Sequence, residues 1–103
     1  MPVTGYRMAR MMPVSQLEIS KAGYLYNSSL HPTWLPGRYN NLSEPCALFW
    51  KQGVLQIPAL VTPGVRFPVL WLGFKNFPLA WIQAATRAIW KAGLCANLYF
   101  HPW

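Results

Sequence analysis

Acidic residues are almost absent from the sequence. The 103 residues include no Asp and two acids, Glu18 and Glu44, against nine Lys and Arg, so the net charge is +7. The positive charge therefore comes from missing acids more than from abundant bases. If catalysis needs a carboxylate base from within the chain, only Glu18 or Glu44 can supply it.

The basic residues are spread singly from Arg7 to Lys91, without a run or a helical stripe. Clustered bases are typical of nucleic-acid binding, so we expect solvated surface charges and no nucleic-acid partner. The two cysteines, Cys46 and Cys95, allow at most one disulfide, and there is no Cys-x-x-Cys. Together with His31 and His101 they match no zinc-module spacing, which favours buried free thiols over a four-ligand zinc site.

Long apolar runs are also missing. No stretch supplies the ~18 uninterrupted apolar residues of a spanning helix, and residues 1–12 lack the apolar region of a signal peptide. We therefore predict no transmembrane or export segment, and the localisation is left open between cytoplasmic and envelope-associated. Yet 53% of residues are hydrophobic and 11% are charged, against about 25% charged in ordinary soluble domains. Such a composition predicts exposed apolar surface that normally packs against more protein.

The residue pattern predicts an α/β chain. A capping box, Ser15 to Glu18, predicts a helix over residues 13–22 that ends at Gly23. A second helix is predicted over residues 78–92, with Gly93 closing it. Its apolar face is expected to comprise Leu79, Ile82, Ala85, Ala88, Ile89 and Ala92, widened by Trp81 and Trp90. Strands are predicted at residues 24–26, 54–57, 59–62 and 98–100, and a short helix or loop at 67–74.

The segment 31–45 contains three prolines and a glycine, which argue against regular structure. It also contains Trp34 and Tyr39. A long loop with aromatic residues is typically functional or packed over a site. Its aromatic faces suit a sugar surface and equally suit burial against a barrel rim.

The apolar run 98–100 predicts a final strand that leads directly to His101, and Pro102 would end it. The carboxyl end of a central strand is where α/β sheets place their ligands. His101 is therefore a candidate functional residue. The alternative is a partly buried histidine at a strand end.

Three segments taken in order resemble the second half of a polysaccharide deacetylase, a member of carbohydrate esterase family four (the chitooligosaccharide deacetylase homology domain). They are Gly5-Tyr6-Arg7, the sequence AGYLYNSSL at 22–30, and LYFHPW at 98–103. The loop LPGRYNN at 35–41 and Ile57-Pro58 resemble a bacterial subgroup of exopolysaccharide-associated deacetylases. The resemblance covers the whole chain.

The resemblance implies a distorted (β/α) barrel that removes acetyl groups from N-acetylated sugars of an acetylated polysaccharide. Residues 1–103 would form a partial (β/α) barrel, the C-terminal half of such a domain. Family members hold a divalent, zinc-like metal with an Asp and two His, and use an Asp base and a His acid. The motifs that supply the metal ligands and the base have no counterpart here. The missing N-terminal half would supply them, and this chain alone would bind no metal.

The resemblance also assigns individual residues. Arg7 resembles the arginine that orients the catalytic aspartate, although Ala9 stands where a proline is usual. Asn27 stands where family members typically have an aspartate after the tyrosine of this motif, so a charge is absent there. His101 resembles the histidine that protonates the leaving amine. The predicted sugar-binding residues are Trp34, Tyr39, Asn27 and Trp103.

Three functions follow as hypotheses. The first is the C-terminal half of a metal-dependent deacetylase that is inactive alone. The second is a non-enzymatic protein whose basic, aromatic surface binds a polyanion or a membrane face. The third is a carbohydrate-binding remnant that keeps the aromatic groove without the chemistry.

Overall fold

A computed structural model describes residues 1–100 of the chain, which form two small sheets and three α-helices. The strands are β1 (Gly5–Tyr6), β2 (Tyr26–Asn27), β3 (Trp34–Leu35), β4 (Tyr39–Asn40), β5 (Phe49–Lys51) and β6 (Val54–Gln56). The helices are α1 (Gln16–Lys21), α2 (Trp71–Asn76) and α3 (Leu79–Lys91), and a 3₁₀ turn covers Ala9–Met11. His101 and Trp103 lie outside the described residues.

The main sheet has the strand order β1-β2-β6-β5, in which β1, β2 and β6 are parallel and β5 is antiparallel to β6. Parallel neighbours need a crossover, and α1 lies in the connection from β1 to β2. This arrangement is a mixed α/β structure, and the described residues form no closed barrel. The partial barrel therefore stays a prediction.

Helix α1 begins directly after its N-cap residue, Ser15. The Ser15 hydroxyl accepts a hydrogen bond from the Glu18 backbone N–H at 3.4 Å, so the helix starts at Gln16 and residues 13–15 precede it. Gly23 has φ +86°, the left-handed conformation predicted for it. The predicted helix is confirmed with a later start.

Two of the four predicted strands are wrong, whereas the strand predicted at 54–57 is confirmed as β6. Residues 98–100 form no strand, and Leu98 and Phe100 are exposed. The preceding residue, Asn97, attaches this segment to the sheet through its side chain. Its Nδ2 donates to the backbone oxygens of Ile57 and Pro58, both at 3.1 Å. Residues 59–62 make one isolated bridge, Val61 to Pro68. The strand predicted at 24–26 is β2, shifted to Tyr26–Asn27.

The segment 31–45 is more regular than its prolines indicate. Strands β3 and β4 form a hairpin in which Leu35 pairs with Tyr39. Gly37 takes φ +74° in the turn between them, a conformation that glycine adopts without steric cost. The prolines lie outside the paired positions, so they do not interrupt the hairpin.

The core lies beneath α3. Leu60, Val69, Ala85 and Ile89 form one buried cluster. The predicted helix 78–92 is confirmed as α3, but its buried face is narrower than predicted, since only Ile82, Ala85 and Ile89 are buried. Trp90 is 80% exposed. No helix within residues 1–100 has both the length and the apolar character needed to cross a bilayer.

The position of Ile89 yields a stability prediction. Ile89 is fully buried, whereas Leu79 on the same helix is 69% exposed. We expect Ile89→Ala to lower the free energy of unfolding by about 2–5 kcal/mol, because it leaves a cavity in the core. Leu79→Ala, the matched control, should change it by less than about 0.5 kcal/mol. Equal effects in urea denaturation would contradict the assigned core.

Candidate functional site

The candidate site lies at the carboxyl ends of β1, β2 and β6. The register pairs Tyr6 with Asn27 and Asn27 with Gln56, so the three strands end side by side. The residues that follow them, Arg7, Ser28 and Ile57, therefore meet at one edge of the sheet. This edge is where parallel sheets place catalytic and binding groups.

Arg7 joins this edge to the end of the described chain. Its Nη2 donates to Ser28 Oγ at 2.6 Å and to Asn97 Oδ1 at 3.4 Å. Its guanidinium carbon lies 4.9 Å from the ring centroid of Tyr99, within cation–π range. Arg7 has no carboxylate partner within residues 1–100. The sequence interpretation selected Arg7, but it missed Asn97 and Tyr99.

Asn27 is 1% exposed and lies in a buried amide network. Its Nδ2 donates to Gln16 Oε1 and Gln56 Oε1, both at 3.1 Å. Its Oδ1 accepts from the Ser29 N–H at 3.1 Å and from the Ser29 hydroxyl at 2.6 Å. The Ser29 hydroxyl oxygen also accepts from the Met8 N–H at 2.7 Å. The network therefore fixes the chain after β1 against the end of β2, and the sugar-binding role of Asn27 stays a prediction.

His31, which the sequence interpretation did not select, is buried beside Tyr39. It is 2% exposed, and its Nδ1 lies 3.0 Å from the Tyr39 hydroxyl oxygen. Its Nε2 is buried without a hydrogen-bond partner in the part of the chain that the structure describes. Burial lowers the pKa of His31 from 6.5 to about 4, so the ring is neutral at pH 7. The aromatic loop 31–45 was the available signal, although it did not single out this residue.

A cavity of about 580 Å³ opens next to this edge. Its polar lining consists of Arg7, Arg10, His31, Arg38, Tyr39 and Tyr99. Arg7 and Tyr39, two predicted site residues, therefore line one cavity. Trp34 does not line it and is 58% exposed on β3. The predicted catalytic His101 and sugar-binding Trp103 lie outside the described residues.

The described residues do not fit a metal ion. Within residues 1–100, no three His, Cys, Asp or Glu side chains lie close enough together to hold one. Cys46 and Cys95 are both free. Neither thiol is buried, since Cys46 is half-buried and Cys95 is exposed, so the predicted burial was wrong.

His31 predicts a pH dependence of stability. The unfolded chain protonates this ring near pH 6.5 and the folded chain only near pH 4, so the unfolded state binds more protons between these values and acid favours unfolding. We expect the His31 contribution, roughly 3 kcal/mol, to be complete above pH 6.5 and lost as the pH falls toward 4.

Urea denaturation across this pH range tests the assignment. His31→Gln should lose the part of the pH dependence that the unmodified protein shows between pH 6.5 and 4. An unchanged slope in His31→Gln would contradict the assignment.

Asn27 predicts a second stability effect. In Asn27→Asp, a carboxylate oxygen replaces Nδ2 and faces the oxygens of Gln16 and Gln56. Rotating the Gln16 amide by 180° would turn its Nε2 toward the new carboxylate. It would also turn Nε2 toward Gln56 Nε2, which donates to Gln16 Oε1 at 2.9 Å, so the unfavourable contact would move to the Gln16–Gln56 pair. We expect a loss of at least about 1–3 kcal/mol at pH 7, and a smaller loss in acid, where a protonated carboxyl can donate.

Asn40→Asp is the matched control. Asn40 is exposed, and its Oδ1 accepts from the Leu42 N–H, an acceptor that Asp keeps. This variant should be near neutral in the same denaturation measurement. Equal stability of Asn27→Asp and the unmodified protein would show that the network does not restrain this position.

Comparisons with known proteins give no family for this chain. No family model matches it, and no curated protein or solved structure matches it. Its resemblance to the deacetylases therefore depends on the motifs described above.

Proposed function

We propose that this chain is the C-terminal half of a metal-dependent polysaccharide deacetylase domain and is inactive alone. The complete domain would hydrolyse N-acetyl or O-acetyl groups on a polysaccharide. The observation that carries the proposal is the contact of Arg7 with Ser28 and Asn97. These residues belong to, or directly precede, the three segments that resemble deacetylase motifs, and they meet at the carboxyl edge of parallel strands.

Arg7 would position the catalytic aspartate of the N-terminal half. Two hydrogen bonds and the Tyr99 ring contact its exposed guanidinium, which supports an orientation set before a carboxylate arrives. A guanidinium beside a carboxylate keeps it ionised, which a general base requires.

His101 would be the general acid that protonates the departing amine. It follows Asn97 by four residues in the sequence, and Asn97 is bonded to Ser28, Ile57 and Pro58 at the sheet edge. These bonds attach the segment that precedes His101 to the edge where Arg7 lies.

The metal and the aspartate base would have to come from the N-terminal half. Within residues 1–100 no three His, Cys, Asp or Glu side chains lie together, so the ligands of a divalent ion would belong to that half. On the sugar side, Trp34 presents an exposed ring on the β3–β4 hairpin and Tyr39 lines the cavity. An exposed aromatic face suits a pyranose ring, which supports Trp34 as a substrate contact, and the place of the half-buried Tyr39 in the cavity lining supports Tyr39.

Reconstitution tests this proposal. The full chain would be combined with an N-terminal half that supplies the aspartates and the two metal-binding histidines, and acetate release from chitin oligomers would be measured. We expect acetate release only when the two halves are combined. His101→Gln should lower it by about 10²–10⁴ through loss of the acid.

Arg7→Gln should also lower the rate in the mixture. Arg87→Gln, an exposed arginine on α3, should leave the rate unchanged. Circular dichroism of each variant separates lost chemistry from lost folding. Full activity in His101→Gln would reject the acid assignment, and no activity in any mixture, with polyanion or membrane binding retained, would favour the non-enzymatic alternative.

A further inference from the structure

Arg10 and Arg38 have no role in the proposed deacetylation, yet both line the cavity beside Arg7. Arg10 lies in the 3₁₀ turn after β1, and Arg38 lies in the turn of the β3–β4 hairpin. Two separate parts of the chain therefore bring these side chains to one cavity. Arg7 differs from them, since Ser28, Asn97 and Tyr99 already engage its guanidinium.

The cavity has no acidic group among the described residues that line it. The chain contains only two acids, and Glu44 is paired with Lys51 at 3.4 Å while Glu18 lies in α1. Neither lines the cavity. The positive charge of Arg10 and Arg38 thus has no carboxylate partner within residues 1–100.

Other polar groups converge on the same space. Burial raises the pKa of the Tyr39 and Tyr99 phenols, and the Arg38 guanidinium opposes this effect on both. Arg38 is therefore close enough to act on both hydroxyls. His31, whose buried Nε2 lacks a partner among the described residues, also lines this cavity.

The backbone at Arg10 is unusual. Arg10 and Met11 take φ of 57° and 54°, left-handed conformations that side chains other than glycine rarely adopt. Such residues persist where the surrounding structure holds them, and they cluster at ligand sites. Both residues line the cavity.

We propose that Arg10 and Arg38 bind the carboxylate of an acidic sugar, so that the substrate is a polysaccharide in which a uronate neighbours the acetylated residue. The acetylation of the neighbouring sugar rests on the proposed deacetylase function. The planar guanidinium matches a carboxylate through paired hydrogen bonds. A volume of about 580 Å³ lies in the range of small-ligand sites, about 300–1,000 Å³.

Four tetrasaccharides probe the site by calorimetry with the full chain. The first probe alternates N-acetylglucosamine with glucuronate, and the second is the same molecule with its carboxylates reduced to alcohols. The third probe is chitotetraose, and the fourth is a sulfated tetrasaccharide. We expect the uronate form to bind about tenfold tighter than its reduced form or more. Rising salt should weaken this preference.

Variants assign the preference to the cavity. Arg10→Gln and Arg38→Gln should each bring the affinity for the uronate form toward that of the reduced form. Arg87→Gln, the matched control outside the cavity, should keep the full preference. If a variant does not fold, the comparison of the uronate and reduced probes on the unmodified chain still decides the proposal.

Three results would overturn it: equal affinity for the uronate and reduced probes, an unchanged preference in both cavity variants, or tighter binding of the sulfated probe. The last result would assign a sulfated sugar instead. The outcome is separable from that of reconstitution. Uronate binding without deacetylation rejects the deacetylase function only, and deacetylation without a uronate preference rejects the acidic-sugar inference only.

Discussion

The hydrogen bonds around Arg7, Ser28 and Asn97 connect parts of the chain that are far apart in sequence, and the edge of the sheet depends on them. Strands β1 and β2 have two residues each and β6 has three, so the ladders contribute few backbone bonds. Side chains compensate for this. The Arg7 guanidinium and the Asn97 amide bind across the strand ends, and the buried amides of Asn27 and Gln56 bind between neighbouring strands.

The scarcity of acids has a structural consequence at this edge. Arg7 is exposed, and its guanidinium donates to neutral oxygens and lies beside an aromatic ring, with no carboxylate partner within residues 1–100. The cavity therefore keeps a positive potential, which favours an anion over a neutral ligand. Two anions would be stabilised by this potential: an aspartate from the N-terminal half at Arg7, and a sugar carboxylate at Arg10 and Arg38.

Exposed apolar surface agrees with a chain that packs against more protein. Trp50, Trp90 and Phe100 are 70%, 80% and 61% exposed, and large exposed apolar areas typically mark contact surfaces. Strand β1 forms one edge of the four-stranded sheet. Within residues 1–100 its outer side pairs with no other strand, so an N-terminal half, as proposed, could continue the sheet there.

Local signals in the sequence determined helices α1 and α3, whereas residues 67–74 were left open between a helix and a loop. The Ser15 cap, Gly23, Gly93 and the apolar spacing of α3 each act within a few residues, so they can be read without knowledge of the rest of the chain. The motif order likewise selected Arg7 and Tyr39. Tertiary structure decided the remainder. Residues 98–100 are apolar enough for a strand, but Asn97 occupies the carbonyl groups at the end of β6. The burial of His31 and the convergence of Arg10 and Arg38 depend on contacts between distant segments, which sequence spacing does not encode.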